Sequence, residues 1–185
     1  MLRWAAVLLL LALMVGCQAS TSAPTPTQVP TTPLPATTSA PATGAGRVEV
    51  LNSADFAFAR GDYATASGLY ERTLNTPTTG EAALATAAIN QYARFRDLVT
   101  LLADGREDDA RAQVDALQQA DASAPFARLA NQLWDQYGMV GSLRGACAQV
   151  QPQIASQAGP TLATLRGLGV NVDPGTLCSP AKDAG

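Results

Sequence analysis

Between residues 47 and 178 the apolar side chains recur every three or four positions, in runs that glycine, proline and capping residues separate. This spacing is typical of amphipathic helices, and no segment shows the sustained alternation of β-branched residues that strands require. Alanine, the strongest helix former, accounts for 36 of the 185 residues and favours helices that pack closely. The sequence therefore predicts an all-α domain.

The runs and their breaks predict helices at about residues 48–60, 63–74, 80–103, 106–119, 125–137, 142–157 and 160–168. Three helix–turn–helix pairs are expected, with turns at Gly61, Gly105 and Gly138. The predicted helix caps are Asp62, Ser123 and a capping box formed by Thr78 and Glu81. We expect the chain to kink or restart at Pro152.

The turn of the first helix pair has a distinctive pattern. Gly61-Asp62-Tyr63 is followed by the small residue Ala66 and by Tyr70 on the second helix. This segment resembles a tetratricopeptide repeat. The resemblance implies a short solenoid of stacked helical hairpins that binds other proteins and performs no chemistry. The alternative is a generic bundle of α-hairpins.

Two groups of polar residues are the candidate partner-binding surfaces. One lies on the long third helix and the other on the first helix of the last pair: Asn90, Arg94 and Asp97, and Arg128, Asn131 and Asp135. The alternative for each is an ordinary solvated helix face.

A second functional hypothesis is a small-ligand pocket between hairpins. Four aromatic residues would line it: Tyr92, Phe95, Phe126 and Trp134. A cavity of several hundred Å³ among them would favour ligand binding. A packed core would favour the scaffold.

The residue types needed for most site chemistry are missing. The chain contains no histidine, which excludes Ser-His-Asp and Cys-His catalysis and histidine zinc sites. Twelve basic and fifteen acidic residues give a net charge of −3, without the basic excess that nucleic-acid binding needs. The acidic cluster at residues 104–109 lacks the alternating ligands and distal Glu of a calcium loop. We therefore expect no enzyme, cofactor, metal site or nucleic-acid partner.

The first seventeen residues have the organisation of an export signal. Arg3 precedes a twelve-residue apolar run at residues 4–15, whereas spanning a bilayer takes roughly 20 residues. The run ends in Met14-Val15-Gly16-Cys17, which resembles the bacterial lipobox. The resemblance implies cleavage after Gly16 and acylation of Cys17, so that lipid anchors the exported protein to the cell membrane or an outer membrane. The alternative is an ordinary secretory signal with a chance cysteine.

The segment after Cys17 is predicted to be a disordered linker. Thr, Pro, Ala and Ser make up 23 of the 29 residues from 18 to 46, and none of the 29 is charged. Such a segment cannot bury enough apolar surface to offset the entropy of ordering it. The predicted organisation is a signal peptide at 1–16, the lipidated cysteine and linker at 17–46, and the helical domain with its C-terminal tail at 47–185.

The number of cysteines indicates which two can form a disulfide. Lipidation of Cys17 would leave Cys147 and Cys178, and export would place both in an oxidising compartment. A disulfide between them would pin a turn-rich tail to the last hairpin. The alternative is two unpaired thiols, and the sequence favours the disulfide.

Overall fold

A computed structural model describes residues 44–180, which form six α-helices and no strand. The helices are α1 (Gly44–Ala59), α2 (Tyr63–Asn75), α3 (Ala83–Ala103), α4 (Glu107–Asp121), α5 (Pro125–Val140) and α6 (Leu143–Gly167). The all-α prediction is confirmed. The predicted signal peptide, the lipid site at Cys17 and the linker up to residue 43 lie outside the described residues. Within those residues, no helix combines the length and the apolar character needed to cross a membrane.

Glycines in the left-handed conformation end the first helix of each hairpin. After α1, the Gly61 N–H donates to the Phe58 carbonyl and the Asp62 N–H to the Ala57 carbonyl. The same pair of bonds recurs at Gly105 after α3, and the two glycines have φ of 77° and 75°. This is the Schellman arrangement, in which a residue without a Cβ adopts positive φ at little cost. The predicted turns at Gly61 and Gly105 are therefore confirmed.

The third turn lies three residues later than predicted. Gly138 is helical and α5 continues to Val140, where Gly141 takes φ of 66° and ends the helix. Gly138 is inside a helix with an apolar face, so packing of that face outweighs its low helix propensity.

Two further boundaries differ from the prediction. The first helix begins earlier than predicted, because α1 starts at Gly44 and not near residue 48. The two helices predicted at 142–157 and 160–168 are one helix, α6, with Pro152 and Pro160 inside it. Both prolines are on the exposed side of α6, where carbonyls that lose their partner can bind water.

The predicted caps have mixed outcomes. Asp62 caps α2 by accepting from the Thr65 N–H at 3.3 Å, as expected. The capping box is wrong: α3 starts after Ala82, and the Glu81 carboxylate accepts from the Thr86 hydroxyl at 3.0 Å and not from the backbone. The cap at Ser123 is also wrong: its hydroxyl and N–H both donate to Asp121, and Ala124 is the residue at the N-cap of α5.

The three hairpins pack in chain order around α3. Helix α3 contacts every other helix, whereas the first and third hairpins share no helix–helix contact within residues 44–167. The centre of the core is aromatic: the Phe126 ring lies 5.2 Å from Phe95 and 6.0 Å from Tyr92, between ring centroids. Each such pair adds roughly 0.5–1.5 kcal/mol beyond the burial of its area.

Residues 169–180, called the tail below, fold back across the domain after α6. The tail contains turns and no helix, as predicted. Cys178 lies at disulfide distance from Cys147 of α6, with 5.3 Å between their Cα atoms, which confirms the predicted pairing. The tail also places Val170, Val172 and Leu177 against the core.

Candidate functional site

A carboxylate on α1 lies at the centre of a charged cluster in the domain. Asp55 Oδ1 accepts from the Tyr70 hydroxyl at 2.6 Å and from Arg96 Nε at 2.9 Å. Its Oδ2 accepts from the Tyr92 hydroxyl at 2.7 Å. These four residues, called the Asp55–Arg96 cluster, join α1, α2 and α3 through one carboxylate.

Arg96 is the cationic partner and is almost entirely buried. Beyond Asp55, its Nη1 donates to the carbonyl of Leu177 in the tail. The guanidinium lies over the ring of Phe58, with 4.0 Å from Cζ to the ring centroid. A buried charge is tolerated when its donors are bound in this way, and removing one partner of such a pair typically costs 3–5 kcal/mol.

The surroundings shift the acid–base behaviour of the cluster. Burial raises the pKa of the Tyr70 and Tyr92 phenols well above 10.0, and the nearby Asp55 carboxylate raises both further. For Arg96, burial acts to lower the pKa, but Tyr70, Tyr92 and Asp55 together hold it above its ordinary value. The phenols therefore stay neutral donors and the arginine stays charged at any physiological pH. These two phenols and the guanidinium are therefore a fixed electrostatic feature of the cluster.

A cleft opens over this cluster. Its volume is about 450 Å³, and its walls come from α1, α3 and the tail. Asp55, Tyr92 and Arg96 line its base, and Phe56 lies in its wall with 64% of its surface exposed. Arg60 lies over the Phe56 ring, 5.0 Å from its centroid. The cleft thus combines an exposed aromatic side chain with a desolvated ion pair.

A larger groove of about 960 Å³ runs between α6 and the tail. Small and apolar residues such as Ala148, Pro152 and Ala155 dominate its lining. It offers volume with few convergent polar groups, so the cleft over the Asp55–Arg96 cluster is the better candidate site.

A second buried arginine fastens the start of the domain. Arg47 of α1 donates from Nε to the Thr73 carbonyl at 3.0 Å and from Nη1 to Glu81 Oε2 at 2.6 Å. Its Nη2 donates to Asn90 Oδ1. The first turns of α1 are thereby tied to the end of α2 and the start of α3.

Of the candidate partner-binding residues on α3, Asn90 and Arg94 are half-buried and Asp97 is buried; a role of Asn90 and Arg94 in binding a partner stays a prediction. Asn90 accepts from Arg47, and Arg94 Nη1 donates to Gln113 Oε1 at 3.1 Å. Asp97 is fully buried, so its expected place on a solvated stripe is wrong. One of its oxygens accepts from Gln113 Nε2 at 2.8 Å, and the other has no hydrogen bond. Burial raises the pKa of Asp97 to about 6, although the nearby Ser67 hydroxyl lowers it.

The candidates on α5 are on the surface. Arg128, Asn131 and Asp135 are exposed, and Arg128 donates back to the Ser123 carbonyl. Their role in binding a partner stays a prediction.

The aromatic pocket predicted between hairpins is filled by its own side chains. Phe95 and Phe126 are completely buried against each other, and Trp134 packs against Tyr137. Of these four residues, Tyr92 lines the cleft over the Asp55–Arg96 cluster. Close packing of the rings leaves no space for a ligand among all four.

The sequence carried a signal for the Asp55–Arg96 cluster, although neither Asp55 nor Arg96 is among the predicted site residues. Arg96 follows Tyr92 by four residues on the buried stripe of α3, and Asp55 lies between Leu51 and Phe58 on the buried face of α1. A charged residue at a core position of each of two helices indicates a buried ion pair.

The described residues 44–180 contain no group of three or more side chains that could hold a metal ion.

No family model matches the chain, and no curated protein or solved structure matches it either.

Proposed function

We propose that this protein is an exported, lipid-anchored adaptor whose helical domain binds a segment of a partner protein in the cleft over the Asp55–Arg96 cluster. Acylation of Cys17 would hold it to the membrane, and the uncharged linker that follows would separate the domain from the lipid surface. The Cys147–Cys178 disulfide supports a location outside the cytoplasm. Hairpins in series, each packed on its neighbour, support a tetratricopeptide-like scaffold.

The composition of the cleft carries this proposal. Binding energy in protein interfaces is concentrated in aromatic and arginine side chains at desolvated positions. Phe56 offers an exposed ring, and Arg96 offers a charge already removed from water and held rigid by Asp55. A partner that covers Phe56 would gain apolar burial. Because the polar groups beneath Phe56 are already ordered, binding would not carry the entropy cost of ordering them.

Photo-crosslinking tests the proposal in the cells that make the protein. Phe56 is replaced by p-benzoylphenylalanine in the full chain, and the matched control carries the same replacement at Leu84 of α3, which is 81% exposed and outside the cleft. We expect one discrete protein adduct from position 56 that is absent from position 84. Identical adducts from both positions, or none from position 56, would contradict the proposal.

A small-molecule ligand is the second candidate, because about 450 Å³ is within the size range of ligand pockets. Native mass spectrometry of the protein released from membranes tests it. A bound small molecule would add a constant mass that Phe56→Ser removes and Leu84→Ser retains. If the wild type, Phe56→Ser and Leu84→Ser each show only the mass of their own polypeptide, with no added mass, this candidate is excluded.

A further inference from the structure

One side of the first half of α6 is apolar and exposed. Ala148, Pro152 and Ala155 follow one another at intervals of four and three residues, so they lie on the same side of the helix. All three line the groove of about 960 Å³ between α6 and the tail, which is called the α6 groove below. Their small side chains leave the space between the helix and the tail unfilled.

The opposite wall of the α6 groove is fastened to the helix. It contains tail residues such as Pro174 and Gly175. The Cys147–Cys178 disulfide joins the tail to α6, and the Gln151 side chain donates to the Pro174 carbonyl and accepts from the Cys178 N–H at 2.9 Å. The groove is therefore formed before any ligand binds, and binding does not carry the entropy cost of ordering its walls.

Arg144 gives the α6 groove a cationic end. It comes one helical turn before Ala148 on the same side of α6 and is the only charged residue among the described residues that line the groove. A guanidinium has several N–H donors in one plane, so it can bind a carboxylate beside any other partner that it has. A matching ligand is anionic at one end and hydrocarbon along the rest.

The length of the α6 groove matches one acyl chain. From Arg144 to Ala155 the helix rises about 16 Å. The hydrocarbon core of a bilayer is about 30 Å thick and holds two layers of chains, so one chain spans about 15 Å. Polar groups are few along the lining, so a peptide would find few partners for its backbone N–H and C=O groups, whereas an acyl chain requires none.

We propose that the α6 groove binds a long-chain fatty acid, with its carboxylate paired to Arg144 and its hydrocarbon chain lying along Ala148, Pro152 and Ala155. Burial of the chain supplies most of the binding free energy, because each methylene group removed from water adds to it. The ion pair sets the direction in which the chain lies. This inference does not rest on the proposed function, which concerns the cleft over the Asp55–Arg96 cluster.

Photolabelling tests both the occupant and its direction. The protein is the full chain purified from the cells that make it and reconstituted in phosphatidylcholine vesicles. The probes are two forms of myristate, one with a diazirine beside the carboxylate and the other with a diazirine at the methyl end. Peptide mass spectrometry then identifies the labelled residues.

We expect the first probe to label α6 near Arg144 and the second to label it near Ala155. Octanoate with a diazirine at its methyl end should label α6 nearer to Ala148, because its shorter chain starts at the same arginine. These positions are read from the wild type, so they decide the question even if a variant is unstable.

Two pairs of variants sharpen the test. Ala148→Trp fills the groove, whereas the matched control Ala163→Trp places the same ring on an exposed part of α6 outside it. The tryptophan at 148 would displace about two methylene groups or more, so labelling of α6 should fall about tenfold or more. Ala163→Trp should leave it unchanged. Arg144→Gln should abolish the difference in position between the two myristate probes, and Arg144→Lys should retain it.

The inference is overturned if α6 is not labelled, if labelling is equal in Ala148→Trp and Ala163→Trp, or if the labelled position does not depend on which end carries the diazirine. Labelling that appears only in Cys17→Ser would assign the groove to the chain's own acyl group and would overturn it as well. The crosslinking at Phe56 reports on a partner in the cleft, so a Phe56 adduct together with unlabelled α6 would leave the proposed function standing.

Discussion

Asp97 is a carboxylate buried inside the protein, and Asp97→Asn should stabilise the fold at neutral pH. The side chain lies between α2 and α4, where its single hydrogen bond comes from Gln113 Nε2 at 2.8 Å. An asparagine would keep this bond through its carbonyl oxygen. Its amide would also offer a donor toward the hydroxyl of Ser67, which has no partner in the structure.

The size of the expected gain in stability follows from the shift in the pKa of Asp97. The pKa of Asp97 is raised from 3.8 to about 6. Burial is the largest cause and the Glu71 carboxylate adds to it, whereas Ser67, Arg106 and Arg94 act to lower the pKa. At about 1.4 kcal/mol per pKa unit, the ionised carboxylate costs the folded state about 3 kcal/mol. Because the folded pKa is the higher one, this cost is absent below pH 3.8, grows as the pH rises towards about 6, and is constant above that.

Urea unfolding with the disulfide intact measures this effect. At about pH 7 we expect Asp97→Asn to be more stable than the wild type by about 2–3 kcal/mol, and the difference should vanish near pH 3.8. The matched control is Asp135→Asn on the exposed face of α5, for which the difference should stay within about 0.5 kcal/mol. A stability gain that is absent at neutral pH, or that does not change with pH, would refute the reasoning.

Three further predictions concern the fold and the anchor. Arg96→Met should lower the free energy of unfolding by about 3–5 kcal/mol, because it leaves a buried carboxylate without its cation, whereas Arg111→Met on the exposed side of α4 should change it little. Gly138→Ala should raise the melting temperature, since nothing lies within 4 Å of the added Cβ inside α5, and Gly105→Ala should lower it by forcing alanine to φ of 75°. Cys17→Ser should leave an uncut precursor or release the protein from the membrane; cleavage after Gly16 with full membrane retention on fractionation would contradict the lipobox hypothesis.

Local features of the chain were enough to predict most of the helices. The glycines at 61 and 105 end helices because each must adopt positive φ, which depends on the residue itself. Where local rules failed, packing was the reason: α5 passes through Gly138, and α6 passes through Pro152 and Pro160, since each helix gains more by continuing its apolar face than it loses at one residue.

The core positions of Asp55 and Arg96 indicated a buried ion pair, but the bonds between the candidate site and the tail were beyond this kind of prediction. The amide of Asn52 binds a tail more than a hundred residues away, and Arg96 binds a carbonyl 81 residues further along the chain. Bonds from side chains to a distant backbone leave no periodicity in the sequence. The burial of Asp97 was missed for a related reason: its side chain looks solvated on one helix, but α4 brings Gln113 against it.

The sequence by itself determined the helical class, the hairpin order, the turns at Gly61 and Gly105 and the pairing of Cys147 with Cys178. Each depends on residue type, on spacing of three or four, or on the number of cysteines. The tertiary structure alone decided that Asp55 meets Arg96, that Asp97 is buried, and that a cleft opens beside the tail. These outcomes depend on which helix faces meet, and only the combined packing of all six helices and the tail sets that.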